Sequence, residues 1–504
     1  MTSAAAADQP YDLLVVGGGI NGAGIACDAA GRGLSVLLCE AGDLAGATSS
    51  ASSKLIHGGL RYLEHYEFRL VRESLKEREI LMRKAPHIVH PLRFVLPHAT
   101  GMRPAWMLRI GLFLYDHLYR RKLIPGSGGI DLMTAAAGAP LADRLSRGFT
   151  YWDCWVDDAR LVVFNAMAAA ARGAAIMPGT KALQARVVDG LWQIELQSSD
   201  GGEKQEVRAR ALVNAAGPWV NDVISRFSTR SPAAIQLVKG SHIVVPRIRG
   251  ADDAYILQNH DGRIVFVLPF DNAFSLIGTT DKSFHGDPAN VDIDDDEQAY
   301  LLDIVTRHFK EAPTVDEIIW SFAGVRPLFD GAEDDPSKAS RDYRLRLERG
   351  GDNGPPLLSI LGGKITTYRK LAEHAMAELA PFFPGLAPPW TADVSLPGGQ
   401  LPGGTCESAL EDLAIRYSEI DPTYLAQLIR RHGSLATDVL GDSSTTADLG
   451  ADIGGGIYER EVRYFRDHEW ARHPDDVLWR RSKAGLYMTP AQRIQAQENL
   501  AAIL

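Results

Sequence analysis

Tyr11–Glu40, YDLLVVGGGINGAGIACDAAGRGLSVLLCE, carries every part of a dinucleotide-binding unit. Asp12 to Val16 is a short apolar run of strand type, and Gly17-x-Gly19-x-x-Gly22 follows it directly. Gly17 permits the tight turn, Gly19 lets backbone N–H groups approach a pyrophosphate, and Gly22 lets the next helix pack closely on the strand. That helix, predicted over residues 21–32, aims its N-terminus at the phosphate charge. Gly33 ends it, residues 35–39 form a second strand, and Glu40 stands where a carboxylate grips a ribose hydroxyl. A lone glycine fingerprint is weak in a chain with 48 glycines, but here strand, helix, second strand and terminal acid all agree. The fingerprint alone does not separate NAD from FAD.

The 504 residues suit several domains and can bury a large core. Charged residues at 23% and hydrophobic residues at 45% are ordinary for a soluble protein, and a net charge of −10 argues against nucleic acid as the main partner. Cys27, Cys39, Cys154 and Cys406 show no metal-type spacing and read as buried thiols in a reducing compartment. Met1 to Pro10 has no basic n-region, and no apolar run approaches the length of a membrane span. The expected location is the cytoplasm, unless something attaches the protein to a surface.

Residues 46–61, GATSSASSKLIHGGLR, follow the second strand and are small and polar, suited to lie flat against a ligand. Their hydroxyls and amides can meet phosphate, and their glycines a planar ring. ATSSASSKLIHGGLRYLEHYEFRLVRESLKERE, with GSHIVVP, FAGVRPL, GGKITTYRKLAEHA and DHEWARHPDDVLWRR, closely resembles the FAD-dependent sn-glycerol-3-phosphate dehydrogenase family of the aerobic, respiratory type. The resemblance runs from about Tyr11 to at least Arg481.

It implies FAD, and an α/β fold. A Rossmann-type FAD-binding domain is split over residues 1–95, 161–235 and 336–390. It is interleaved with a D-amino-acid-oxidase-like antiparallel substrate domain (236–335) and a substrate- or membrane-facing insertion (96–160), and followed by a helical domain (391–504). The cofactor contacts expected are Gly17, Gly19, Gly22 and Glu40, then Thr48, Ser49, Ser53, Lys54, His57, Gly58 and Gly59. Ala216 and Gly217, at the end of the buried strand ALVNAAG, and Gly363, Lys364 and Thr366, at the turn before a second helix, complete the set. A helix N-terminus and Lys364 there would favour an anionic reduced ring.

Oxidising an alcohol on a flavin needs a base for the hydroxyl proton and cations for the tethering anion, and a phosphate monoester prefers bidentate arginine. Arg61, Arg326, Arg341 and Lys364 sit beside glycine, proline or polar turn residues, and the resemblance gives these positions the substrate pocket. His242 is the first choice of base because imidazole titrates near neutrality; His57 is second, and Tyr62 or an arginine such as Arg326 could steady the substrate and a developing alkoxide. The expected reaction passes a hydride from C2 of sn-glycerol 3-phosphate to FAD, releases dihydroxyacetone phosphate, and sends the electrons to a quinone. Quinone reduction implies peripheral contact with the cytoplasmic membrane, and the resemblance also suggests a homodimer. An oxidase producing hydrogen peroxide, an enzyme acting on an amine or amino acid, and a flavin-binding sensor without turnover stay open.

Three further segments carry expectations. Residues 68–84 read as a surface-facing amphipathic helix stopped before Pro86. Residues 103–122, RPAWMLRIGLFLYDHLYRRK, suit either a helix in a membrane interface or a buried helix with basic ends. The acids of residues 287–297 fail the spacing of a calcium loop and read as a loop whose last acids cap a helix, with no metal expected. Trp470, Trp479, Arg480 and Arg481 fit the family pattern but suggest no chemistry beyond packing.

Overall fold

The computed structural model describes residues 9–98, 104–227, 231–259, 261–329, 342–350 and 354–504. The opening unit forms strand β1 (Tyr11–Val16), helix α1 (Ile20–Gly31) and strand β2 (Val36–Glu40). β1 pairs in parallel with β2, Leu13 opposite Val36, and on its other side with Gln205–Asn214, Leu14 opposite Leu212. Pro356–Leu361 and Ala175–Pro178 extend the parallel array on either side, and Arg344–Arg349 adds an antiparallel edge. Leu13, Leu14 and Val15 are fully buried, as a parallel strand covered on both faces requires, which explains the unbroken apolar run. α1 packs against helices Asp158–Ala170 and Tyr368–Leu379, with Ala23, Ala26 and Ala29 fully buried between them. The sheet is thus assembled from stretches hundreds of residues apart.

A second, larger sheet stands beside it, built mainly on Val89–His98, Arg147–Val156, Ile235–Pro246, Ile264–Phe270, Phe274–Gly278 and Trp320–Phe329. Its long antiparallel pair sets His242 opposite Phe322 and Val238 opposite Arg326. The acids before the helix Asp295–His308 act as foreseen: Asp294 accepts from the Glu297 N–H at 2.9 Å, and Glu297 returns the bond to the Asp294 N–H.

One helix differs from expectation, and a second excludes one of its two readings. Phe68–Lys84 is largely buried, because its charges are answered inside: Glu77 takes two bonds from Arg369, at 2.6 and 2.7 Å, and Arg78 reaches Asp153 at 2.6 Å. Charge density marked a surface there, but pairing removed the need for water. Ala105–His117 keeps only Leu112 and Tyr115 buried and exposes Trp106, Met107, Ile110, Phe113 and Leu114, so it is not a buried helix. Cys27, Cys39 and Cys154 are buried and Cys406 only half-buried, because it sits at the start of helix Cys406–Arg416; all four are free.

Beyond residues 381–404, which are rich in proline, helices Cys406–Arg416, Pro422–His432, Glu459–Glu469 and Pro490–Ile503 build two apolar cores of their own. A buried charge network ties them to the body. Arg160 holds Glu469 at 2.9 Å, and His432 Nε2 lies 2.9 Å from Glu461.

Candidate active site

A cleft of about 830 Å³, towards the upper end of the usual ligand-site range, opens at the carboxyl ends of β1, β2 and Gln205–Asn214, where open α/β sheets bind their ligands. Gly17 and Gly19 line it. A Cβ on Gly17 would stand 2.5 Å from the Ala215 carbonyl oxygen, and one on Gly22 would fall on the Gly17 carbonyl, so the turn and the helix contact both require glycine. Ser49 Oγ accepts the Ile20 N–H at 3.0 Å at the mouth of α1. Asn21 donates to the Gly362 carbonyl at 3.2 Å, while its buried Oδ1 has no partner among the described residues.

Glu40 receives the Gly18 N–H at 2.6 Å and the Gly42 N–H at 2.8 Å. Burial pushes its carboxyl up, and these bonds oppose the push. A carboxylate so held can face a ribose, and a glycine cradle with an open amide oxygen fits a dinucleotide. Ala216, Gly217, Gly363 and Thr366 complete this wall.

The polar loop after β2 lines the cleft through Thr48, Ser49, Ser53 and His57. Thr48 donates to the Val325 carbonyl at 2.6 Å, and the His57 N–H reaches Thr366 Oγ1 at 3.2 Å. Lys54 points away from the cleft. It is fully buried, 2.7 Å from Asp158, and donates to the Ser50 carbonyl at 2.9 Å, so it anchors the loop from behind. Gly58 lies beneath the wall, its N–H 2.8 Å from Tyr115 Oη, which donates to Asp153. Gly59, at φ +77°, lets the Tyr62 ring fold against it. Arg61 belongs to the short helix Leu60–His65, but its side chain, like the whole of Arg341, lies outside the described residues.

Cations and the imidazole meet where the two sheets approach. Arg326 lines the cleft, bonded to Asp281 at 2.6 Å and to Thr279 Oγ1 at 3.1 Å. Lys364 Nζ lies 3.5 Å from the centre of the Tyr62 ring, a cation–π contact that fixes both. His242 is 1% exposed, stacked on Phe322 with centroids 4.9 Å apart, and its Nε2 is 2.9 Å from Ser53 Oγ. Burial, then the charges of Arg326 and Lys54, holds the imidazole well below its ordinary value, so it is neutral. Sequence reasoning overlooked Thr279, Asp281 and the Ser53 bridge. The run Gly278-Thr279-Thr280-Asp281 was their only signal, a short polar stop at the end of an apolar strand.

A dinucleotide cradle joined to a cation-lined antiparallel sheet defines an FAD-dependent oxidoreductase. Residues 12–369 match the family described as FAD dependent oxidoreductase, and residues 390–504 match the C-terminal domain of alpha-glycerophosphate oxidase. The chain belongs to the FAD-dependent glycerol-3-phosphate dehydrogenase family. It is 54% identical to the glycerol-3-phosphate dehydrogenase of Pseudomonas aeruginosa, over 99% of this chain and 96% of that one. It is 51% identical to the aerobic glycerol-3-phosphate dehydrogenase of Escherichia coli, over 97% of each, and 48% identical to a D-erythritol 1-phosphate dehydrogenase of Brucella abortus, over 96% of each. The FAD complex of the Bacillus halodurans glycerol-3-phosphate dehydrogenase superposes with a TM-score of 0.75 at 26% identity, covering 98% of this chain and 95% of that one. FAD is the cofactor of this protein.

Proposed function

We propose that the protein oxidises sn-glycerol 3-phosphate at C2 to dihydroxyacetone phosphate and passes the electrons to a membrane quinone. The observation that carries this reading is the meeting of Arg326, Lys364 and Tyr62 in one cleft with a neutral His242 behind Ser53. A phosphate dianion suits the arginine fork, which Asp281 and Thr279 orient along the cleft wall. Lys364, held by the Tyr62 ring, adds a point charge. FAD, when bound, supplies the two-electron acceptor for the C2–H. His242 receives the C2 hydroxyl proton through Ser53 Oγ, and substrate phosphate beside Arg326 offsets the charge that keeps the imidazole a weak base.

The electron acceptor is supported by the helix Ala105–His117. Trp106, Ile110 and Phe113 are 63%, 52% and 59% exposed, with exposed Arg109, Arg120 and Lys122 beside them. An aromatic face with basic flanks fits the interface of an anionic bilayer, and no helix of the described residues is long and apolar enough to cross one.

The reading is tested by anaerobic mixing with sn-glycerol 3-phosphate while following the visible flavin absorbance. Fast bleaching, then rapid reoxidation by added quinone and slow reoxidation by air, is the expected result. Fast reoxidation by air with peroxide would convert the reading to an oxidase. Faster bleaching by D-erythritol 1-phosphate, the substrate named for the Brucella relative, would move the substrate to a four-carbon polyol phosphate.

A further inference from the structure

Arg480 and Arg481 lie more than four hundred residues from the dinucleotide unit, yet both end on it. Arg481 forks onto Asp43, with Nη1 and Nη2 each 2.7 Å from a carboxylate oxygen, and Arg480 Nε reaches the same carboxylate at 2.6 Å. Asp43 stands three residues beyond Glu40, in a turn that also binds back to the cradle. The Ala45 N–H meets the Gly18 carbonyl at 3.0 Å, and the Gly42 carbonyl accepts the Gly179 N–H at 2.8 Å. The Arg481 side chain is fully buried and donates to the Glu469 carbonyl at 2.8 Å, and Glu469 is held in turn by Arg160. Arg480, which also pairs with Asp476, is 19% exposed and lies in the cleft wall with Glu40 and Asp43. A third arginine of the same domain, Arg472, covers Gly179, where a Cβ would be 2.5 Å from its Nη1. Gly179 precedes Thr180, Lys181 and Ala182 of the same wall.

A second carboxylate on a wall that receives a diphosphate would repel it unless cations answered it, and Arg480 and Arg481 answer Asp43 from outside the FAD-binding fold. We propose that the C-terminal domain is a lock on the dinucleotide. Arg481 is a positioning residue that fixes the Asp43 turn and with it Glu40, and Arg480, anchored on the same carboxylate, is a direct contact for the nucleotide part of FAD.

The test uses the full-length protein stripped of FAD, with the dissociation constant for FAD read from quenching of flavin fluorescence and apoprotein stability from thermal melting. Arg480→Gln, a partly exposed site, should raise the Kd about tenfold or more, and Arg480→Lys less. Asp43→Asn should weaken binding too, and the Asp43→Asn/Arg480→Gln double variant should fall short of the product of the two effects. Arg463→Gln, on an exposed face of the same domain, should leave the Kd unchanged. A parental Kd in Arg480→Gln, or a Kd that rises only in step with melting of the apoprotein, overturns the proposal.

Discussion

The nucleotide half of the cleft and its substrate half are built by opposite rules. In the first, backbone supplies the donors and each carboxylate is answered, Glu40 by two amides and Asp43 by two arginines. In the second, side chains from separate strands and turns converge, and charge is held by burial and by partners that substrate can displace: Arg326 on Asp281, Lys364 over Tyr62, His242 kept neutral behind Ser53. The difference separates two tasks. A cofactor that stays needs a fixed mould, whereas a substrate that leaves needs donors free enough to be taken up and given back.

The comparison breaks most completely at the mould. Gly22→Val would drive its side chain into the Gly17 carbonyl, and backbone has no rotamer with which to yield. The expected outcome is a protein without FAD, measured as the flavin-to-protein absorbance ratio after purification. A variant that keeps stoichiometric FAD would show that the α1 contact is not what seats the cofactor. In the substrate half, Arg326→Ala should keep FAD and lower kcat/KM for glycerol 3-phosphate about 10- to 100-fold, the worth of one charge-assisted bond. Full activity would remove Arg326 from the pocket.

The same division explains what could be read from the sequence. The mould is contiguous: Gly17 to Glu40 fixes strand, turn, helix and acid by local conformation alone, and the observed β1, α1 and β2 lie within a residue of their predicted limits. The substrate half is written in fragments. Nothing in the neighbourhood of Arg326 announces Asp281 or Thr279, since strand pairing across some forty-five residues brings them together. Asp43 and Arg481 are further apart still, and a buried ion pair leaves no periodic trace. The helix Phe68–Lys84 misled for a related reason, because its charge pattern is that of a wet surface unless the partners Arg369 and Asp153 are known.

A smaller effect sharpens the electrostatic side of the comparison. Burial beside Arg326 and Lys54 lowers the His242 value in the folded protein, so the imidazole remains able to accept a proton well into the acid range. The substrate phosphate also titrates near neutrality, and it does so equally for the parent and for His242→Gln. The ratio of their kcat/KM values therefore isolates the imidazole. It should be constant from pH 8 down through about 6.5, the ordinary histidine value, and decline only below it. A ratio that already falls between pH 7 and 6 would mean an ordinary, solvated histidine or a different base.

The smallest effect tests whether the halves are separable. Tyr115, on the helix with the exposed aromatic face, accepts the Gly58 N–H and donates to Asp153, which Arg78 holds from behind. Tyr115→Phe removes one bond on each side and leaves the Gly58 N–H only the longer contact to Asp153, at 3.4 Å. A neutral hydrogen bond is worth about 0.5–1.5 kcal/mol, so the turn carrying Arg61 and Tyr62 should loosen enough to raise KM for glycerol 3-phosphate about 2- to 10-fold. The dissociation constant for FAD should not move, because Glu40, Asp43 and the Gly17 turn share no bond with this triad. If KM and the FAD constant rise together, the cleft behaves as one mould and the two halves are not mechanically distinct; if KM alone rises, the helix Ala105–His117 is coupled to substrate binding and not to cofactor binding.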